Sequence, residues 1–257
     1  MATTFSPAAL KFLRGLARNN DRGWFDPRKP VYEREVKQPM LALIDEVNHA
    51  FADFAPEHMR PPHKAMMRVY RDTRFDASRG MPARPYKTNA AAWWARTGLE
   101  KTTGAGFYFH FSPKETVIAA GAYMPTADQL LLIRRHIEQN HKELRAILAN
   151  KKLKAAMHEF DGRKLTRAPR GFPMGSPALD LLVCRQWGVS ATLPPEFATQ
   201  PKLVKEIVQR FKLAAPLVGF LNAGIVGDGA HKLRAAKTDG ASRAGEELPR
   251  LTLVSGP

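Results

Sequence analysis

"GFYFHFSPKETVIAAGAYM", residues 106–124, decides the fold class. Its halves, "GFYFHFSP" and "ETVIAAGAYM", read as two strands joined by a short turn around Pro113 and Lys114, which makes an antiparallel hairpin. Two further stretches have strand composition: "AMMRVYRDTRF" (65–75) before the hairpin and "RQWGVSATL" (185–193) after it, with a shorter strand-like "KLTRA" at 164–168.

Helical patterns surround these strands. Ser6 followed by Pro7 is a cap and a first-turn proline, and Leu10, Phe12, Leu13 and Leu16 supply the apolar face up to Asn19 and Asn20. "GWFDPRKP" (23–30) reads as a turn-rich link. Met40, Leu43, Ile44, Val47, Phe51 and Phe54 recur at three and four residues, with Pro39 kinking or opening the helix. Thr126 with Gln129 fits a capping box, followed by a stripe of Leu130, Ile133, Ile137, Leu144, Ile147 and Leu148. A short helix near 151–159, a Ser176-Pro177 helix start and a last helix opened by Pro201 complete the pattern. Strands gather in the middle and helices open and close the chain. The expected fold is α+β: a single domain over residues 1–226, with a largely antiparallel central sheet packed with N-terminal, middle and C-terminal helices. Residues 227–257 lack periodicity and are rich in Gly, Ala and charge, so a mobile tail is expected there.

Forty Lys and Arg against 24 Asp and Glu give a net charge of +16 in 257 residues, a field that concentrates anions. The excess is clustered: residues 60–90 hold eight basic and two acidic side chains, and residues 134–172 hold eleven and four. No apolar run approaches the ~20 residues that span a bilayer, and the N-terminus lacks the pattern of a signal peptide. Cys184 is the sole cysteine and follows an apolar stretch, so no intrachain disulfide forms and a cytoplasmic location is the expectation. No membrane partner is expected, and oligomeric state is open.

"MRVYRDTRF" (67–75) places Arg68, Arg71 and Arg74 around one aspartate, Asp72, with Tyr86 and Lys87 following in "RPYKT". Three arginines repel unless a negative group joins them, and Asp72 neutralises only one. A ligand anion completes the balance, since the guanidinium fork binds phosphate or carboxylate through paired hydrogen bonds. The plainer alternative is a structural Arg74–Asp72 ion pair with Arg68 and Arg71 solvated. Asp72 could orient an arginine or act as a general base; no other catalytic group stands out. Arg170, between two prolines in "APRGFP" (168–173), sits in a stiff segment suited to holding a ligand. Trp24, Phe25, Trp93 and Trp94 could stack bases but fit packing better.

Other signals point away from specific chemistries. The eight histidines show no metal-ligand spacing, so no metal site is expected. "GIVGDG" (224–229) is not a dinucleotide fingerprint, there is no GxxxxGK[ST], and no cofactor is expected. No nucleophile elbow, helix-turn-helix, zinc finger or RNP signature occurs. The residues point to a small anionic ligand in an Arg/Lys-lined pocket, and the alternative is a nucleic-acid-binding module using the basic surface.

Five strings in this order, "NNDRGWFD", "RVYRDTRF", "RPYKT", "GFYFHFSP" and "APRGFP", resemble a conserved family of unknown function found in bacteria and fungi, over about residues 5–223. The resemblance implies a single α+β domain and no assigned activity. It implies motif positions at Asn20, Trp24, Phe25, Arg68, Arg71, Asp72, Arg74, Tyr86, Lys87 and Arg170. The chain departs from the family between Phe75 and Pro85, where "DASRGMPAR" is longer and carries Arg79 and Arg84.

Overall fold

The computed structural model of the chain describes residues 3–72, 84–99, 103–160, 162 and 164–227. The hairpin is present: β2 (Gly106–Phe111) pairs antiparallel with β3 (Thr116–Ala122) in the register Phe107↔Ala120 and Phe109↔Ile118. Ser112 closes its turn, accepting the Lys114 and Glu115 N–H groups on its hydroxyl. β1 (Ala90–Ala95), β4 (His158–Glu159) and β5 (Trp187–Leu193) complete an antiparallel sheet of order β1-β2-β3-β5-β4. The expected α+β architecture with an antiparallel centre and helices at the start, middle and end is thus observed.

Helix α1 (Pro7–Arg18) begins as its sequence dictates, with the Ser6 hydroxyl accepting from the Ala9 N–H. A nearly continuous helical run follows: α2 (Arg22–Phe25), a 3-10 turn at Asp26–Arg28, α3 (Lys29–Tyr32), a π turn at Glu33–Lys37 and α4 (Gln38–Phe54). A short α5 (Pro62–Ala65) precedes the sheet. α6 (Ala127–Leu148) starts at the full Thr126–Gln129 capping box. α7 (Lys151–Ala156) and α8 (Leu179–Leu182) are short, and α9 (Leu203–Val226) closes the described chain.

One sheet face carries Phe107, Phe109, Phe111, Ile118, Ala120 and Val189, all buried. Against it α9 lays Leu203, Ile207, Phe211, Leu217 and Leu221, and α4 adds Val47 and Phe51. The aromatic centre is Phe51, Trp94, Phe107 and Phe211, with ring centroids 4.9–5.9 Å apart. Buried His58 and Asn222 tie this core to the sheet edge. The Asn222 side chain exchanges 3.0 Å hydrogen bonds with both backbone groups of Ala105, and the His58 Nδ1–H donates to the Trp94 carbonyl at 3.0 Å.

Several expectations need correction. "GWFDPRKP" is helical rather than a turn-rich link, because Pro27 and Pro30 each fall in a first turn, where proline costs no hydrogen bond. "AAAWWA" had no strand pattern in the sequence, yet it forms β1. It is buried on both faces, so it cannot alternate, and alanine is a weak strand former. "AMMRVYRD" is an irregular ribbon instead of a regular strand. It bridges Met66 to Ala92 and Tyr70 to Tyr86 as the chain doubles back beside β1. "KLTRA" contributes a single bridge, Lys164 to Cys184. Of the tail expected at 227–257, all but Gly227 lies outside the described residues.

Candidate functional site

The N-terminal helical run presents a lane at intervals of four: Phe25, Lys29, Glu33, Lys37 and Leu41. In a regular α-helix, residues four apart drift by about 40° per step, which soon rotates such a lane off one face. The π turn at Glu33–Lys37 is wider, closed by the Gln38 N–H on the Glu33 carbonyl. It under-rotates and cancels part of the drift. Lys37 Nζ and Glu33 Oε2 meet within the turn at 2.7 Å. Beside them Tyr32 is buried, and its phenol pKa is pushed up to about 12 by burial, helped by the Glu33 carboxylate and Tyr70. At neutral pH it remains a hydrogen-bond donor.

The facing wall is the ribbon. The Lys87 N–H donates to the Val69 carbonyl at 2.7 Å, and the Arg71 N–H donates to the Pro85 carbonyl at 2.8 Å, so "RPYKT" returns alongside "RVYRD". The strings "NNDRGWFD" and "RPYKT" meet here. The Asn20 amide donates to the Tyr86 carbonyl at 2.9 Å and accepts the Tyr86 N–H at 3.0 Å. The Phe25 ring stacks on the Tyr86 ring with centroids 4.1 Å apart. Burial, helped by the nearby Asp26 carboxylate, raises the Tyr86 phenol pKa. Trp24 packs under α1: a Cβ on Gly15 would lie 2.6 Å from its ring, so only glycine fits there.

Between the walls lies an open cleft of about 620 Å³. Lys29 and Lys37 approach from the helical wall, and Arg68 and Lys87 from the ribbon. Glu33 is the one carboxylate among the described lining residues, so the balance is four cations against one anion. Phe25, Leu41, Met66, Met67 and Val69 add apolar lining, and His63, Tyr32 and Tyr70 also line the cleft. The arrangement can neutralise an anion and cover an apolar group. The described lining residues include no serine, threonine or cysteine to act as a nucleophile.

Of the residues singled out from the sequence, Arg68, Lys87 and Phe25 line this cleft. Tyr86 is buried in the packing behind it, held by Asn20. Arg71 and Asp72 continue along the ribbon, solvent-exposed and outside the lining. Arg74 lies outside the described residues. Arg170 is not brought to the cleft; it is exposed in the loop after β4, and β4 is at the opposite edge of the sheet from β1. Sequence reasoning missed Lys29, Tyr32, Glu33, Lys37, His63, Met66 and Met67. The interval of four from Phe25 to Leu41 was the available signal for the helical wall. Among the described residues no cluster of His, Cys, Asp or Glu could hold a metal, and no helix is long and apolar enough to cross a membrane.

Comparison with known proteins gives no match among curated proteins and none among solved structures. A family model does match, over residues 8–220, which takes in the whole helical wall, the ribbon, the sheet and most of α9. The chain therefore belongs to the family described as conserved hypothetical protein (DUF2461).

Proposed function

We propose that the protein binds a small anionic ligand, phosphate- or carboxylate-bearing, in the cleft between the helical run and the ribbon. The observation that carries this reading is the convergence of Lys29, Lys37, Arg68 and Lys87 on one cleft with a single lining carboxylate. Clustered cations lower one another's stability until an anion joins them, and a partly desolvated site strengthens that attraction. The string "NNDRGWFD", through Asn20 and Phe25, fixes Tyr86 and thereby Lys87, which fits a site held by a rigid support. A cytoplasmic location fits a chain with one cysteine.

A thermal-shift panel of nucleotides, sugar phosphates, dicarboxylates and short oligonucleotides tests the reading. A ligand at 100 times its Kd stabilises by about 2.7 kcal/mol, a shift of roughly 5–10 °C for a domain of this size. Lys29→Gln and Lys87→Ala are expected to remain folded and lose that shift. Folded variants that keep the full shift would place the anion elsewhere.

The second reading is a nucleic-acid interface. It is favoured by the +16 charge and by exposed Lys142, Lys151, Lys152 and Lys154 on and after α6. It predicts stabilisation by oligonucleotides alone, lost steeply as salt rises.

A further inference from the structure

We infer that the ligand of the cleft is a phosphate monoester carried on an apolar body, an inference that rests on the anion-binding reading above. Three observations lead there. First, the charge is more than a carboxylate can balance. Glu33 already pairs with Lys37 at 2.7 Å, which leaves Lys29 and Arg68 in excess over the lining acids. A phosphate dianion neutralises more of that excess than a monoanion does. Second, the cations approach from opposing walls, two from the helical run and two from the ribbon. A tetrahedral group with three terminal oxygens can be met from both sides, whereas a carboxylate presents two oxygens in one plane. Third, a bare ion leaves most of the cleft unused. A volume of about 620 Å³ is in the range that holds an organic ligand, and Leu41, Met66, Met67 and Val69 line it with apolar surface. Two adjacent methionines adapt to bodies of differing shape. Tyr70, which also lines the cleft, is 49% exposed. The protonated Tyr32 phenol adds a neutral donor suited to an ester or phosphoryl oxygen.

Titration calorimetry of the full chain with inorganic phosphate, hexyl phosphate, adenosine monophosphate, hexanoate and hexyl glucoside tests this. Hexyl phosphate or the nucleotide is expected to bind at least about tenfold more tightly than both hexanoate and inorganic phosphate. Within an alkyl phosphate series each added methylene tightens binding about three- to fourfold. Preference between the alkyl and nucleoside bodies distinguishes an aliphatic from a nucleotide source, and either order supports the inference. Arg68→Gln is expected to weaken the phosphates at least about tenfold at an unchanged Tm. Met67→Gln should flatten the chain-length dependence and leave inorganic phosphate alone. Hexanoate equal to hexyl phosphate, or inorganic phosphate equal to it, overturns the inference while the anion-binding reading stands. Binding of hexyl glucoside equal to hexyl phosphate, with Arg68→Gln and Lys29→Gln without effect, overturns both. The same holds if no member of the panel binds.

Discussion

At the scale of single residues, Asn20 has the most traceable role. Its side chain mimics a strand partner, satisfying both backbone groups of Tyr86 on the residue preceding Lys87. Asn20→Ala leaves a buried N–H and C=O with no replacement, at a cost of about 2 kcal/mol. Chemical denaturation measures that cost. Ligand affinity should fall as well, since Lys87 loses its anchor; unchanged affinity in the folded variant would make Asn20 purely structural. His58 gives a second residue-scale prediction. Burial holds its pKa below the ordinary histidine value in the folded protein, and its Nδ1–H is committed to the Trp94 carbonyl. The unfolded ring, at about 6.5, therefore binds a proton first. Stability is complete above about pH 6.5 and declines as pH falls from there toward the depressed folded pKa. Burial depresses His110 and His136 in the same direction, so they add to the slope. His58→Gln removes one titrating group from this window, and denaturation midpoints between about pH 5 and 7 should show a shallower slope. An identical slope would mean the folded ring keeps its ordinary proton affinity.

At the scale of elements, the π turn joins fold and site. Its extra width keeps Lys29, Glu33, Lys37 and Leu41 on one wall, and such turns inside α-helices recur at functional sites. Deleting Arg34, an exposed residue of that turn, lets the run close as a regular helix in which Lys37 follows Glu33 by three residues instead of four, which breaks the lane's interval and re-aims Lys37. The variant is expected to fold, with a melting temperature near that of the parent, and to bind its anion at least about tenfold more weakly by calorimetry. Parent-like affinity would remove the wide turn from the site. The same contrast explains what the sequence makes legible. Ser6-Pro7, Thr126–Gln129 and the 106–124 hairpin are specified by residues within a few positions of one another, and each forms as read. β1 is specified by what packs on it, including Phe51 and Phe211 around Trp94, and burial of both its faces leaves "AAAWWA" without a period. The site divides along the same line. Arg68 and Lys87 belong to one local excursion of the chain and could be paired from sequence. Lys29 and Lys37 reach them only through tertiary approach of the helical run, which local pattern does not encode.

At the scale of the whole molecule, the +16 charge and the cleft should respond to salt in opposite directions. Like charges spread over the surface repel one another and oppose the compact state, and that repulsion fades as the Debye length falls to about 10 Å at 0.1 M salt. Raising salt from 0.05 to 0.2 M is therefore expected to raise the Tm of the ligand-free protein by a few degrees. Over the same range, affinity for a phosphate monoester should fall by less than about tenfold. The ligand carries two charges, and its apolar body is insensitive to screening. A nucleic-acid interface gives a different signature: six to ten phosphate contacts lose roughly 10³–10⁵ in affinity across that span. Seven exposed basic side chains on and after α6, Lys142, Lys151, Lys152, Lys154, Lys164, Arg167 and Arg170, are enough for such a footprint, whereas the cleft offers four. Measuring Tm and both affinities in one salt series separates the molecule's general attraction for polyanions from a specific site. If the small anion and an oligonucleotide weaken along the same steep line, the cleft contributes nothing beyond the surface field, and the basic surface is the functional feature.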